Sequence, residues 1–173
     1  EENFGSESGY LGFLRDSPSA AQRLCHVLSN SRFLGDALNK SVESVTWLGN
    51  DDSLQPRSRE SLDIQTKATL ERNAGNINDF ANSIRAMRRH EIERIGLAWM
   101  SGVIDDEASL AGMTDVYDAA IEASLQWAIQ HRINDIQIDE APAAIAIIGM
   151  GRYGGREVNF QSFPMLRLIS DRK

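Results

Sequence analysis

The residues most suited to chemistry lie near the carboxyl end. Gly149-Met150-Gly151-Arg152-Tyr153-Gly154-Gly155-Arg156 places four glycines and two arginines in eight residues, directly after the apolar run Ala143-Ala144-Ile145-Ala146-Ile147-Ile148. Glycines let main-chain N–H groups come close to a phosphate where a side chain would block them, and a guanidinium adds charge against the same oxygens. Gly149, Gly151 and Gly154 satisfy G-x-G-x-x-G. A dinucleotide site would also need a long helix, a second parallel strand and an acidic residue about 20 positions on, and Pro164 interrupts the segment. Such a site is the second reading. A turn that serves only chain reversal is the plainest one, although two adjacent glycines after a buried strand require some backbone reason.

Other reactive side chains point to scaffold roles. His26, His90 and His131 fall on three different predicted helices without metal-ligand spacing, so no metal site is expected. Cys25 is the only cysteine, which excludes an intrachain disulfide and fits a reducing cytoplasm; it is expected to face the core of its helix. Trp47, Trp99 and Trp127 read as core aromatics. Asp105-Asp106-Glu107 lacks the spacing and the glycine of a calcium loop and suits the positive end of a helix. Arg88 and Glu91 lie on or beside an apolar helical stripe, where a buried ion pair joining two helices is expected. The functional alternative has Arg88, Arg89 or Arg94 reach a nucleotide or a partner enzyme.

The elements that must position these residues are mostly helices. Residues 1–16 read as a loose tail whose end docks through Tyr10, Leu11, Phe13 and Leu14. Ser17 and Pro18 open a helix with Leu24, Val27 and Leu28 facing inward. A short helix carries Phe33, Leu34, Ala37 and Leu38, and a third carries Val42, Val45, Trp47 and Leu48 up to the break at Gly49-Asn50. The stretch from Ser58 to about Arg72 presents Leu62, Ile64, Ala68 and Leu70. Asn78 to Met100 has a helical stripe through Phe80, Ile84, Met87, Ile92, Ile95 and Trp99, closed by Gly102. A further long helix runs from the acidic triplet to about His131. The helical domain thus covers 17–131, residues 132–142 form a linker, and 143–173 begin a different unit. Its first strand is apolar on both faces, as a fully buried strand is.

Composition bounds the function. The 173 residues carry 18 Lys+Arg against 25 Asp+Glu, a formal charge of −7, which argues against a nucleic-acid-binding domain. With 42% hydrophobic and 25% charged residues the chain can bury a core. No apolar run approaches the roughly 20 residues needed to span a bilayer, and the acidic opening is no signal peptide, so no membrane partner is expected.

The fourteen residues Gly149-Met-Gly-Arg-Tyr-Gly-Gly-Arg-Glu-Val-Asn-Phe-Gln-Ser162 resemble the active-site entry of the glutamine synthetase adenylyltransferase family. That family's pattern is similar to Gly-x-Gly-Lys/Arg-x-Gly-Gly-Arg-Glu-Leu-Asn-Phe-x-Ser followed by Asp-x-Asp. Arg15-Asp16-Ser17-Pro18, Ser31-Arg32-Phe33, Leu54-Gln55-Pro56-Arg57 and the run from Arg85 to Ile95 are similar to the helical region before its catalytic domain, so the likeness spans about Tyr10 to Ser162. It implies a mainly α fold: an antiparallel helical domain followed by the incomplete start of a polymerase-β-like α/β nucleotidyltransferase domain. It also implies transfer of AMP from ATP to a tyrosine of glutamine synthetase, or removal of AMP by phosphate in the sister half. Gly112-Met-Thr-Asp-Val116 and Arg15-Asp-Ser-Pro18 incline the reading toward the adenylylating half.

On that likeness Gly151, Arg152, Gly154, Gly155, Arg156 and Ser162 would bind the ATP polyphosphate, and Mg²⁺ would sit on the Asp-x-Asp carboxylates. Those carboxylates are absent. Phe163-Pro164-Met165-Leu166 follows Ser162, and neither Phe nor Met supplies the hard oxygen ligands Mg²⁺ demands. The sequence is therefore expected to be a fragment with an altered end, or one from which residues between Ser162 and Phe163 are missing, and to be inactive alone. Glutamine synthetase is the implied partner, with a PII-type nitrogen signal protein as a second. A non-catalytic helical adaptor that docks a partner enzyme is the competing reading.

Overall fold

A computed structural model describes residues 2–136, 143–162 and 164–172. The chain is mainly helical and divides into two compact units, one formed by Glu1–Pro56 with Glu93–Asp106, the other by Arg57–Ile92 with Glu107–Lys173.

In the first unit, α1 spans Glu2–Asp16, so the stretch expected to be a loose tail is helical. Its Tyr10, Phe13 and Leu14 pack against the unit's core, and that apolar end gives the segment a surface to fold on, which composition alone does not reveal. Helix α2 (Pro18–Asn30) has Pro18 at its first position, but the Ser17 side chain makes no capping bond. The cap that does form is at α3 (Arg32–Lys40), where Ser31 Oγ accepts from the N–H of Leu34 at 3.2 Å. Residues Val42–Gly49 form a 3-10 helix that buries Val45 and Leu48. Their three-residue spacing matches its three residues per turn. Asn50 then caps the single turn α4 (Asp51–Leu54).

Ala20, Val27, Leu34, Leu38, Val45, Leu48, Leu54, Leu97 and Ala98 make this unit's core. Arg94 lies over the Trp47 ring, 4.1 Å from its centroid, and donates to the Ser53 carbonyl. That contact gives Arg94 a structural account in place of the functional one. Helix α6 (Ile77–Met100) ends as its glycine anticipates: Gly102 has φ of 71° and Val103 N–H reaches back to Ala98 O at 2.9 Å. Leu28 is exposed rather than inward, and so is Cys25. Trp99 is 42% exposed, not a core aromatic, and its indole N–H donates to Asp106 at 2.6 Å, at the start of α7.

In the second unit, α5 (Arg59–Arg72) is capped by Ser58 and buries Leu62, Thr66 and Thr69. Ile64 and Ala68, expected inside, face out. The two threonines can occupy the inner face because their hydroxyls donate to the carbonyls of Asp63 and Gln65 within the same helix. Phe80, Ile84 and Met87 of α6 are buried, as are Met113, Val116, Ala119, Ala120, Ala123 and Trp127 of α7 (Asp106–Ile136). Phe80 stacks on Trp127 with centroids 5.7 Å apart, and Trp127 on His131 at 4.6 Å.

Helix α7 continues through Ile136, so the first half of the expected linker is helical; residues 137–142 lie outside the described residues. Strands β1 (Ala143–Met150) and β2 (Met165–Arg172) pair antiparallel, Ala143 opposite Arg172 and Met150 opposite Met165. Among the described residues between them, the only helix is the four-residue α8 (Gly151–Gly154). A dinucleotide-binding crossover needs a parallel return strand and a long helix, so that reading is overturned. The expectation of a fully buried strand also fails: Ile145 and Ile148 are 37% and 45% exposed, because a two-stranded ribbon leaves both faces uncovered.

Candidate functional site: the glycine turn

The turn is built by its glycines in three different ways. A Cβ on Gly154 would lie 2.5 Å from the carbonyl oxygen of Gly149, so the start and end of the turn touch main chain to main chain. A Cβ on Gly149 would meet the Tyr153 ring at 2.9 Å. Gly151 instead is needed for conformation, with φ of 58° and open space where a side chain would stand. Gly155 has an ordinary φ of −83° and no contact closer than 3.6 Å, and its N–H is already bonded to Gly151 O at 3.0 Å. Gly149 and Gly154 are thus explained by the chain itself. On the outer side of the turn Gly151 faces open space, and a Cβ on Gly155 would make only ordinary van der Waals contacts.

The inner side is clamped to α7. Tyr153 is buried and its hydroxyl donates to Asp118. Arg156, at φ of 59°, pairs with Asp115 at 2.7 Å and with Asp118 at 3.6 Å. From α5, Arg59 reaches Asp63 at 2.7 Å, Glu122 at 2.5 Å and Asp118 at 3.4 Å. Val158, fully buried, holds the exit of the turn. Asp115, Asp118 and Glu122 are three and four residues apart, hence on one stripe of α7. That spacing was readable from the sequence, but the basic residues it meets were not.

Arg59, Asp118, Glu122, Tyr153 and Arg156 border a cavity of about 490 Å³ that Thr114 and the apolar Ile121, Leu125 and Ile147 also line. Burial, then the Asp118 carboxylate accepting its proton, pushes the Tyr153 phenol well above its usual range, so it stays protonated and is no base near neutrality. The pairing with Asp115 raises Arg156 above its ordinary value against a smaller effect of burial. Burial disfavours the charge on Arg59, but Asp63, Glu122 and Asp118 outweigh it. Two guanidiniums against two lining carboxylates, Asp118 and Glu122, leave no net positive field in the cavity for a polyphosphate.

Of the residues expected to bind nucleotide, Gly151, Arg152, Gly154, Gly155 and Arg156 are brought together in this turn. Arg152 is exposed, whereas Arg156 is committed to the α7 carboxylates. Ser162 lies in the following turn, where Asn159 Oδ1 accepts from its hydroxyl at 2.7 Å and from the Gln161 N–H at 3.0 Å. Phe163 lies outside the described residues, and Met165 at the head of β2 is 59% exposed. No group of three or more His, Cys, Asp or Glu placed to hold a metal occurs among the described residues. The expected Arg88–Glu91 pair is replaced: Glu91, buried, is met by Arg57 at 3.3 Å, and Arg88 lies 5.7 Å from the Tyr117 ring centroid.

Comparison with known proteins agrees with this motif. The bifunctional glutamine synthetase adenylyltransferase/adenylyl-removing enzyme of Bifidobacterium longum is 73% identical over 162 residues, covering 94% of this chain and 15% of that enzyme. The enzymes of the same name from Leifsonia xyli subsp. xyli and Mycobacterium tuberculosis are 37% and 35% identical over 161 and 164 residues, 93% of this chain in each case and 15% and 16% of theirs. The chain therefore spans about one sixth of the length of the curated relatives it matches. No solved structure gives a match. The family described as glutamate-ammonia ligase adenylyltransferase matches residues 21–163, and the chain belongs to that family.

Proposed function

We propose that this chain is the part of a glutamine synthetase adenylyltransferase in which a helical region leads into the glycine turn of a polymerase-β-like nucleotidyltransferase domain. The whole protein would transfer AMP from ATP to a tyrosine hydroxyl of glutamine synthetase, or remove it, in the cytoplasm, under a nitrogen signal such as a PII-type protein. No described helix is long and apolar enough to cross a membrane. The observation that carries the site reading is the open outer side of the turn, where Gly151 leaves space and Arg152 is exposed. ATP phosphates would rest there, with Arg152 as the charge that meets them. Tyr153 and Arg156 hold the turn in place from behind.

The residues present do not fit Mg²⁺. The family's Asp-x-Asp position is occupied by Phe163-Pro164-Met165, and a thioether is a poor ligand for a hard cation. The chain alone is accordingly expected not to label glutamine synthetase with AMP. A segment exchange tests the positive part: residues 21–162 replace the matching stretch of the Bifidobacterium longum enzyme. The chimera is expected to retain AMP transfer, and Arg152→Glu within it to reduce transfer at least about tenfold by placing a carboxylate against phosphate. A folded but inert chimera would refute the reading.

A further inference from the structure

Helix α6 carries a cationic stripe that the glycine turn does not use. Within the second unit, Phe80, Ile84, Met87 and Glu91 mark the buried side of this helix. The opposite side presents Asn78, Asn82, Arg85 and Arg89, at steps of four, three and four residues, all exposed. These steps align side chains in one row along a helix. Arg88 flanks the row and is backed by the Tyr117 ring, 5.7 Å from its centroid. Arg85 donates to the Asn82 side-chain oxygen at 3.5 Å. Among the described residues, Arg85, Arg88 and Arg89 make no ion pair, whereas Arg57 is drawn to Glu91, and Arg59 and Arg156 to the carboxylates of α7.

Three guanidiniums that make no ion pair among the described residues thus stand within five residues of a chain whose net charge is −7. Exposed like charges repel one another along a helix and are retained most simply where an opposite charge meets them. Three arginines are few for a nucleic acid, whose binding rests on releasing many counterions, and the remaining acidic surface would oppose a polyanion. Carboxylates spaced along one helix fit better, since each guanidinium donates to one in a forked pair and the asparagine amide N–H groups can donate to the same oxygens.

We propose that the Asn78–Asn82–Arg85–Arg89 row of α6, flanked by Arg88, is a docking surface for an acidic helix of a partner protein. This inference stands apart from the nucleotide reading of the glycine turn.

Fluorescence anisotropy of a labelled helical peptide with glutamates at alternating three- and four-residue steps, titrated with the full 173-residue chain, tests it. Saturable binding that weakens as salt rises is expected. The double variant R85E/R89E should weaken binding at least about tenfold and R85Q/R89Q roughly threefold or more, whereas Arg72→Glu, an exposed site on α5, should leave it unchanged. Circular dichroism checks each variant, and R85Q/R89Q decides should the charge reversal unfold the chain. Absence of binding by the unmodified chain, equal loss in Arg72→Glu, unchanged binding in the folded R85 and R89 variants, or tighter binding of a short DNA duplex than of the peptide would each overturn the proposal.

Discussion

The hydroxyl of Tyr153, inside the glycine turn, donates to the carboxylate of Asp118 on α7, thirty-five residues earlier in sequence. Asp118 also receives Arg59 and Arg156, so one carboxylate ties the turn to two helices. The orientation of the open outer side of the turn depends on that tie.

Tyr153→Phe removes the donor and keeps the ring that packs against Gly149. A loss of about 1 kcal/mol is expected, the usual net worth of one hydrogen bond. Asp118→Ala removes the common partner of three groups and should cost more, about 2–3 kcal/mol. Urea unfolding of the chain followed by circular dichroism measures both. Equal stability of Asp118→Ala and the unmodified chain would count against the clamp.

The adjacent glycines should respond oppositely to one methyl group. Gly154→Ala forces a Cβ against the Gly149 carbonyl at 2.5 Å and is expected to destabilise by about 1–3 kcal/mol. Gly155→Ala meets nothing closer than 3.6 Å at an ordinary φ, and should leave stability unchanged or raise it by up to about 1 kcal/mol. Gly151→Ala, at φ of 58°, should lose about 1 kcal/mol through backbone strain. Thermal unfolding of the three variants side by side gives the order.

Tyr153 also sets a pH dependence. Its phenol ionises near pH 10 when unfolded and at higher pH when folded, because burial and then the Asp118 carboxylate disfavour the phenolate. Above pH 10 the unfolded chain has lost a proton the folded chain retains, so stability falls with rising pH through that region. Below pH 10 both states hold the proton and this contribution is constant. The urea midpoint should therefore drop between pH 9 and about 11 by a larger amount in the unmodified chain than in Tyr153→Phe. Parallel curves would sink the assignment.

Two serines at helix starts offer a separate check. Ser31 Oγ caps α3 through Leu34, so Ser31→Ala should cost about 1 kcal/mol. Ser17 occupies the same position before α2 without a capping bond, so Ser17→Ala should fall within about 0.5 kcal/mol of the unmodified chain. Paired denaturation curves distinguish them.

The legible parts of the fold are those decided over one or two turns. The start of α2 at Pro18, the break after Gly49, the apolar row through Phe80, Ile84 and Met87, and the Gly102 ending all follow from local backbone preference and helical period. Where the reading fails, the deciding contact is distant or polar. Thr66 and Thr69 replace Ile64 and Ala68 on the inner side of α5 because their hydroxyls are satisfied within the helix, which hydrophobicity alone does not register. Residues 2–16 fold as α1, with an apolar end that packs on a core built largely from later helices.

The candidate site divides in the same way. Its position after an apolar strand and its glycine spacing were both set by the order of residues from 143 to 155. Which arginine is available was settled only by folding. Arg152 and Arg156 are equivalent as letters, yet Arg156 stands against Asp115, forty-one residues away, while Arg152 is exposed. A charge pairs with whatever lies within a few ångströms, and that neighbour is fixed by helix packing, not by proximity along the chain.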